Sequence, residues 1–217
     1  MIVVIQCAGR KAEGAAYLRN RDGRRVMFVA DPQSAPRDDR KVYARPDDDV
    51  GDGETWRDKL EACNRAPGNN PFGLLPAWRL YSNDAYRLLY DRYGAENLYI
   101  LSAGWGLIRS DFLTPNYDIT FSNQADRLTR RRDRDRYEDF QMLPEDAAGP
   151  ILFFAGKAYV DLAGALTKRV KGEKYLFYNS AVAPRAPGFR LRRYKTTTRT
   201  NWHYECAKAF VAGAIDL

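Results

Sequence analysis

Long apolar runs are missing from this chain. No stretch approaches the ~18 consecutive apolar residues of a membrane-spanning helix, so no membrane partner is expected. Histidine is almost absent, with His203 alone among 217 residues. There is accordingly no HExxH metalloprotease pair and no HxE…CxxC zinc-deaminase pattern. The GxSxG elbow of serine hydrolases is missing too. Cysteine is scarce. Cys7, Cys63 and Cys206 are odd in number, widely spaced and without metal-ligand spacing, which reads as reduced thiols in a cytoplasm. The acidic run Asp47, Asp48, Asp49 and Asp52 lacks the EF-hand spacing and its closing glutamate, so it reads as a solvated loop. No metal and no cofactor are expected.

What is present describes a folded chain. Apolar residues make up 45% and aromatics 13%, enough for one domain over residues 1–217. The net charge is +7, from 35 Lys+Arg against 28 Asp+Glu, and arginine dominates. Guanidinium forks suit phosphate oxygens, so nucleic acid or an anionic small molecule is compatible with this balance.

The opening Met1-Ile2-Val3-Val4-Ile5 carries no basic leader and reads as a strand that begins at once, over Ile2 to Gln6. Arg24 to Ala30 reads as a second strand, paired with the first as a meander. The polar segment from Asp31 to Asp58 reads as surface loop. Thr55 caps a short helix to Asn64. From Pro76 to Tyr93, the residues Ala77, Leu80, Tyr81, Ala85, Leu88 and Leu89 recur at helical spacing, with Ser82-Asn83-Asp84 as an interruption. Buried strands follow at Leu98–Leu101, Pro150–Phe154 and Lys174–Tyr178. A helix spans Ala158 to Val170, and a last one starts at Asn201, its cap. The pattern predicts an α/β fold: a single domain with a mixed, mostly parallel sheet flanked by helices.

Asn123 to Phe140 packs Arg127, Arg130, Arg131, Arg132, Arg134 and Arg136 among Asp126, Asp133, Asp135 and Glu138. That mixture suits an exposed helix laced with ion pairs, and alternatively a grip on phosphates.

Three strands end in small, polar turns: Cys7-Ala8-Gly9-Arg10-Lys11, Ser102-Ala103-Gly104-Trp105-Gly106 and Ala155-Gly156-Lys157. A fourth ends in Asn179-Ser180. In a parallel sheet such ends converge on one edge, where α/β proteins place chemistry. The residues available there suit a reaction that needs few groups, such as cleavage of an N-glycosidic bond. A carboxylate stabilises the oxocarbenium-like transition state or activates water, and a donor receives charge on the departing base. Asp118 is the candidate carboxylate, and His203 or Asn201 the contact to the leaving base. Trp105, Tyr117 and Trp202 can stack on a flipped base. Asn116 and Asn179 can read polar edges. Arg10, Lys11, Lys157, Arg192, Arg193, Lys195 and Arg199 can hold phosphates. No lysine stands out as a Schiff-base nucleophile, although Lys11 and Lys157 sit at strand ends, so hydrolysis without a lyase step is expected.

Ser102-Ala103-Gly104-Trp105-Gly106-Leu107 followed by Pro115-Asn116-Tyr117-Asp118 resembles the "LSA-x-x-GL … PY" signature of the YaaA-like proteins. Ile5-Gln6-Cys7-Ala8-Gly9-Arg10-Lys11 resembles the same family's opening turn before a lysine. One departure is Asn116, which separates proline from tyrosine. Cys7, Lys11, Ser102, Gly104, Gly106, Tyr117 and Asp118 sit on the family pattern, and the resemblance makes Cys7, Ser102 and Gly104 candidate substrate contacts. It implies a YaaA-like fold similar to uracil-DNA glycosylases, and association with DNA. It also suggests kinship with a phage-defence DNA glycosylase that removes glucosylated hydroxymethylcytosine. The expected function is therefore a DNA glycosylase acting on a modified base, as a monomer. The alternatives are a non-catalytic DNA-binding stress protein and an enzyme of free nucleotides or nucleosides.

Overall fold

Apolar strands form the centre of the interior, and residues from the helices and turns pack around them. In the computed structural model, which describes residues 1–51, 53–132 and 134–217, the strands are β1 (Ile2–Gln6), β2 (Arg25–Val29), β3 (Lys41–Ala44), β4 (Asp49–Gly51) and β5 (Glu54–Thr55). They continue with β6 (Leu75–Pro76), β7 (Leu98–Ser102), β8 (Gly106–Arg109), β9 (Leu113–Thr114), β10 (Tyr117–Asp118), β11 (Phe140–Gln141), β12 (Ile151–Phe154), β13 (Lys174–Tyr178) and β14 (Phe189–Arg193). The helices are α1 (Trp56–Arg65), α2 (Ala77–Leu80), α3 (Asp84–Asn97, kinked at Gly94), α4 (Val160–Leu166) and α5 (Trp202–Val211).

A seven-stranded sheet runs in the order β11-β8-β7-β1-β12-β13-β14. Every pairing is parallel except the β7–β8 hairpin. The protein is thus a mixed α/β fold on a mostly parallel sheet. Val3, Val4 and Ile5 of β1 are fully buried, as are Ile151–Phe154 of β12. Consecutive burial, not alternation, is what a sheet covered on both faces imposes. Helix α3 packs on β1 and β7, α5 on β12 and β13, and the two helices pack on each other.

Local signals explain the helix starts. Thr55 accepts from the Asp58 N–H, and the Asp58 carboxylate accepts from the Thr55 N–H at 2.8 Å, a reciprocal capping box. Asn83 accepts from Ala85 N–H and restarts the helix after the expected break. Asn201 stands at the cap of α5 but makes no side-chain cap bond; it turns the chain with φ 63°.

Four expectations need correction. Strand β2 does not pair with β1. Both edges of β1 are taken by the fully buried strands β7 and β12, and β2 lies between β3 and β10 in a separate three-stranded sheet. The stretch read as loop before Asp58 contains β3, β4 and β5. The stretch around Arg192 and Arg193, expected only to offer phosphate contacts, forms the edge strand β14, paired along its length with β13. Residues 123–140 form no helix among the described residues. Polar side chains there capture the backbone instead: Asp126 takes the Thr129 N–H at 3.0 Å and Asp135 the Arg132 N–H at 2.7 Å. Asp52 and Asp133 lie outside the described residues.

Among the described residues no helix is long and apolar enough to cross a membrane.

Gly106 turns β7 into β8 at φ 88°, and a Cβ there would stand 2.5 Å from the Phe140 carbonyl oxygen. Gly106→Ala is expected to cost at least about 1–3 kcal/mol in urea unfolding. Gly9→Ala, where a Cβ meets nothing within 4 Å, should stay within about 0.5 kcal/mol of the parent.

Candidate functional site

β1 lies between β7 and β12, and the chain reaches them on opposite sides. The carboxyl end of β1 is therefore a topological switch point, where α/β sheets open a crevice. The small polar turns meet there as expected. Cys7 N–H donates to the Leu101 carbonyl at 2.9 Å, and Gly156 N–H donates to Gln6 Oε1 at 2.6 Å.

Beneath that edge lies a buried network of hydroxyls. Ser102 Oγ donates to the Tyr117 hydroxyl, which bonds the Tyr81 hydroxyl, each at 2.9 Å. Cys7 Sγ is 3.2 Å from the Tyr159 hydroxyl. The Tyr86 hydroxyl donates to the Gln6 carbonyl at 2.7 Å, so Tyr204, at 3.1 Å, donates to Tyr86. Burial pushes Tyr81, Tyr86, Tyr117, Tyr159 and Tyr204 up, so all five remain neutral phenols. The sequence placed Tyr81 and Tyr204 on apolar helix faces and missed their polar ends. The only signal was fourteen tyrosines in the chain.

Lys11 rests on this network, its Nζ 4.0 Å from the centre of the Tyr117 ring and 3.1 Å from the Gly9 carbonyl. Burial lowers its pKa, while the charges of Cys7 and Asp118 nearby work the other way. Asp118, on β10, is exposed. Asp118 follows Tyr117, on whose ring the Lys11 ammonium sits, so carboxylate and desolvated ammonium are neighbours.

Other candidates fall elsewhere. Trp105 is fully buried between Phe28 and Phe140 and is a core residue with no face free to stack on a base. Gly104 leaves room for Tyr117, whose ring would lie 3.1 Å from a Cβ. Asn116 donates to the Tyr17 hydroxyl at 3.0 Å, away from the hydroxyl network. Asn179 donates to the Thr198 carbonyl at 3.2 Å. With Trp202 and Lys157 it lines a small cavity of about 50 Å³. His203 is buried against the Tyr204 ring, its Nε2 without a partner. Asn201 is exposed. Arg192 lies over the Tyr175 ring. Arg10, Arg193, Lys195 and Arg199 are exposed.

The turn 103–105 is held from behind by two buried arginines: Arg57, which the sequence reading passed over, and Arg131, expected on an exposed helix or a phosphate grip but 7% exposed. Arg57 donates to the carbonyls of Gly104 (3.0 Å) and Trp105 (3.2 Å). Arg131 donates to the carbonyl of Ala103 at 2.8 Å and grips Asp139 with both nitrogens, at 2.9 and 2.5 Å. Asp139 also lies 3.8 Å from Arg57, which pairs with Asp47.

No family model, curated protein or solved structure gives a significant match to this chain.

Two outcomes follow from the buried charges. Asp139→Ala leaves two buried guanidiniums short of a carboxylate and should cost about 3–5 kcal/mol in equilibrium unfolding. Burial depresses His203 to about 4, below the unfolded value of about 6.5. The unfolded chain therefore takes up a proton first as pH falls. Stability should decline between pH 6.5 and 4, by up to about 3 kcal/mol from this group. In unfolding curves against pH, His203→Phe should flatten that slope.

Proposed function

We propose that the protein is a DNA glycosylase that hydrolyses the N-glycosidic bond of a modified base and leaves an abasic site. The observation that carries this reading is the exposed Asp118 carboxylate next in the chain to Tyr117, whose ring holds the half-buried Lys11 ammonium at 4.0 Å. In the reaction a water oxygen bonds to C1′, the C1′–N bond breaks, and the base leaves with the electron pair. Asp118 stabilises the positive charge at C1′ and takes the water proton. Lys11, made a readier acid by burial, gives its proton to the departing base. His203, neutral and enclosed, then has no part in proton transfer. The resemblance of residues 102–107 and 115–118 to YaaA-like proteins supports a DNA substrate, and glucosylated hydroxymethylcytosine of phage DNA is the candidate base.

A second reading, a protein that binds DNA without chemistry, is favoured by one fact. Cavities of about 640 and 940 Å³ line the arginine-rich segment and are not walled by Asp118.

The test is release of free base, measured by mass, and of abasic sites from ordinary, uracil-containing and glucosylated DNA. Asp118→Asn should lower release by about 10²–10⁴-fold while DNA binding persists. Full activity in that variant would overturn the assignment. Binding without release from any DNA would select the second reading.

A further inference from the structure

Residues within 121–132 and 134–136 shape a trough. Cavities of about 640, 940 and 430 Å³ adjoin along it, and Arg132 lines all three. Arg130 and Arg134 line two of them, and Lys157, from the end of β12, lines the first. The acids along this trough are mostly engaged. Asp31 pairs with Arg127, Asp139 with Arg131 and Asp47 with Arg57. Asp48 and Asp135 accept backbone N–H groups. Among the described residues no acidic side chain pairs with Arg130, Arg132, Arg134 or Lys157; Arg130 is steadied by the Asn123 amide at 2.7 Å. Asp161 and Glu138 are the remaining exposed acids on the walls.

Cations that outnumber the acids around them repel one another and raise the local potential, which an anion relieves. Guanidinium forks match phosphate oxygens, and the linked cavities form an elongated path rather than one enclosed pocket. Half-buried Phe121 sits on the wall. Its ring meets the edge of Tyr159, whose hydroxyl touches Cys7, so the trough opens beside the switch point. Asp118 and Phe121 are three residues apart, at most about 10 Å along the chain.

We propose that this trough binds the phosphodiester backbone of a nucleic-acid strand. Arg130, Arg132, Arg134 and Lys157 contact phosphates, and Phe121 offers a face to a base. The proposal deepens the DNA reading above by locating the strand at the trough rather than at the basic tail of β14.

The experiment titrates a fluorescein-labelled single-stranded oligothymidine by anisotropy at several salt concentrations. Arg134→Glu/Lys157→Glu reverses two exposed charges and should melt as the parent does. It should lose on the order of tenfold or more in affinity, and the slope of log K against log salt should shrink by about 1.4, two phosphate contacts' worth. Arg193→Ala/Lys195→Ala should bind within about threefold of the parent, losing only nonspecific attraction. Parent-like binding by the first pair, or loss only in the second, overturns the proposal. So does displacement of the oligonucleotide by inorganic triphosphate at equal phosphate concentration, which would make the ligand a free polyphosphate. Asp118→Asn leaves the trough intact. Should it abolish base release while the trough variants bind normally, the trough placement fails and the chemistry stands.

Discussion

Two guanidiniums that share one carboxylate hold the centre of this protein together. The turn after β7 points three successive carbonyls, Ala103, Gly104 and Trp105, toward Arg131 and Arg57. Its N–H groups are satisfied on the other side, by Cys7 Sγ and Ser102 Oγ. A turn buried this deeply would otherwise strand polar backbone, at a cost of about 1–3 kcal/mol for each group. Asp139 and Asp47 in turn neutralise the arginines. Residues from five distant parts of the chain meet at one point, and none of these charges could stay buried alone.

That arrangement shapes the surface around it. Arg131 is drawn inward at a fixed point of its segment, where Arg131 N–H meets the Thr120 carbonyl at 2.9 Å. A helix over the same residues would place Arg131 on a surface with no carbonyls to receive it. Its neighbours Arg130 and Arg132 face the cavities instead. One arginine therefore serves the fold while those beside it remain available to an anion.

The tyrosine hydroxyls play the complementary part under the crevice. Neutral phenols linked to Ser102, Gln6 and Cys7 give the strand ends a polar floor without burying net charge. Lys11 stands on that floor by cation–π contact with Tyr117 and, at 5.7 Å, with Tyr81. Its desolvation arises from the same packing that aligns the hydroxyls. Preorganised donors and a half-dry ammonium are the features a site needs before any ligand arrives.

Whatever depends on neighbours in the chain was legible in the residues themselves. Apolar runs announced β1, β7, β12 and β13, Thr55 as a cap announced α1, and the Ser82–Asp84 break divided α2 from α3. The convergence of small polar turns on one edge followed from the expected parallel direction of the strands. Pairing partners and the fate of charges were not legible. β2 alternates as a meander strand would, yet its partners come from residues 41–44 and 117–118. β14 is too rich in arginine to announce itself, because an edge strand needs only one face apolar. Six arginines among acids look the same whether they lace a helix or line a trough. Composition and periodicity thus determined an α/β chain with its turns at one edge and an excess of positive charge. Only the tertiary structure decided which arginines are buried and which face outward, because the carbonyls and carboxylates that can neutralise a buried guanidinium are brought to it by distant segments of the chain.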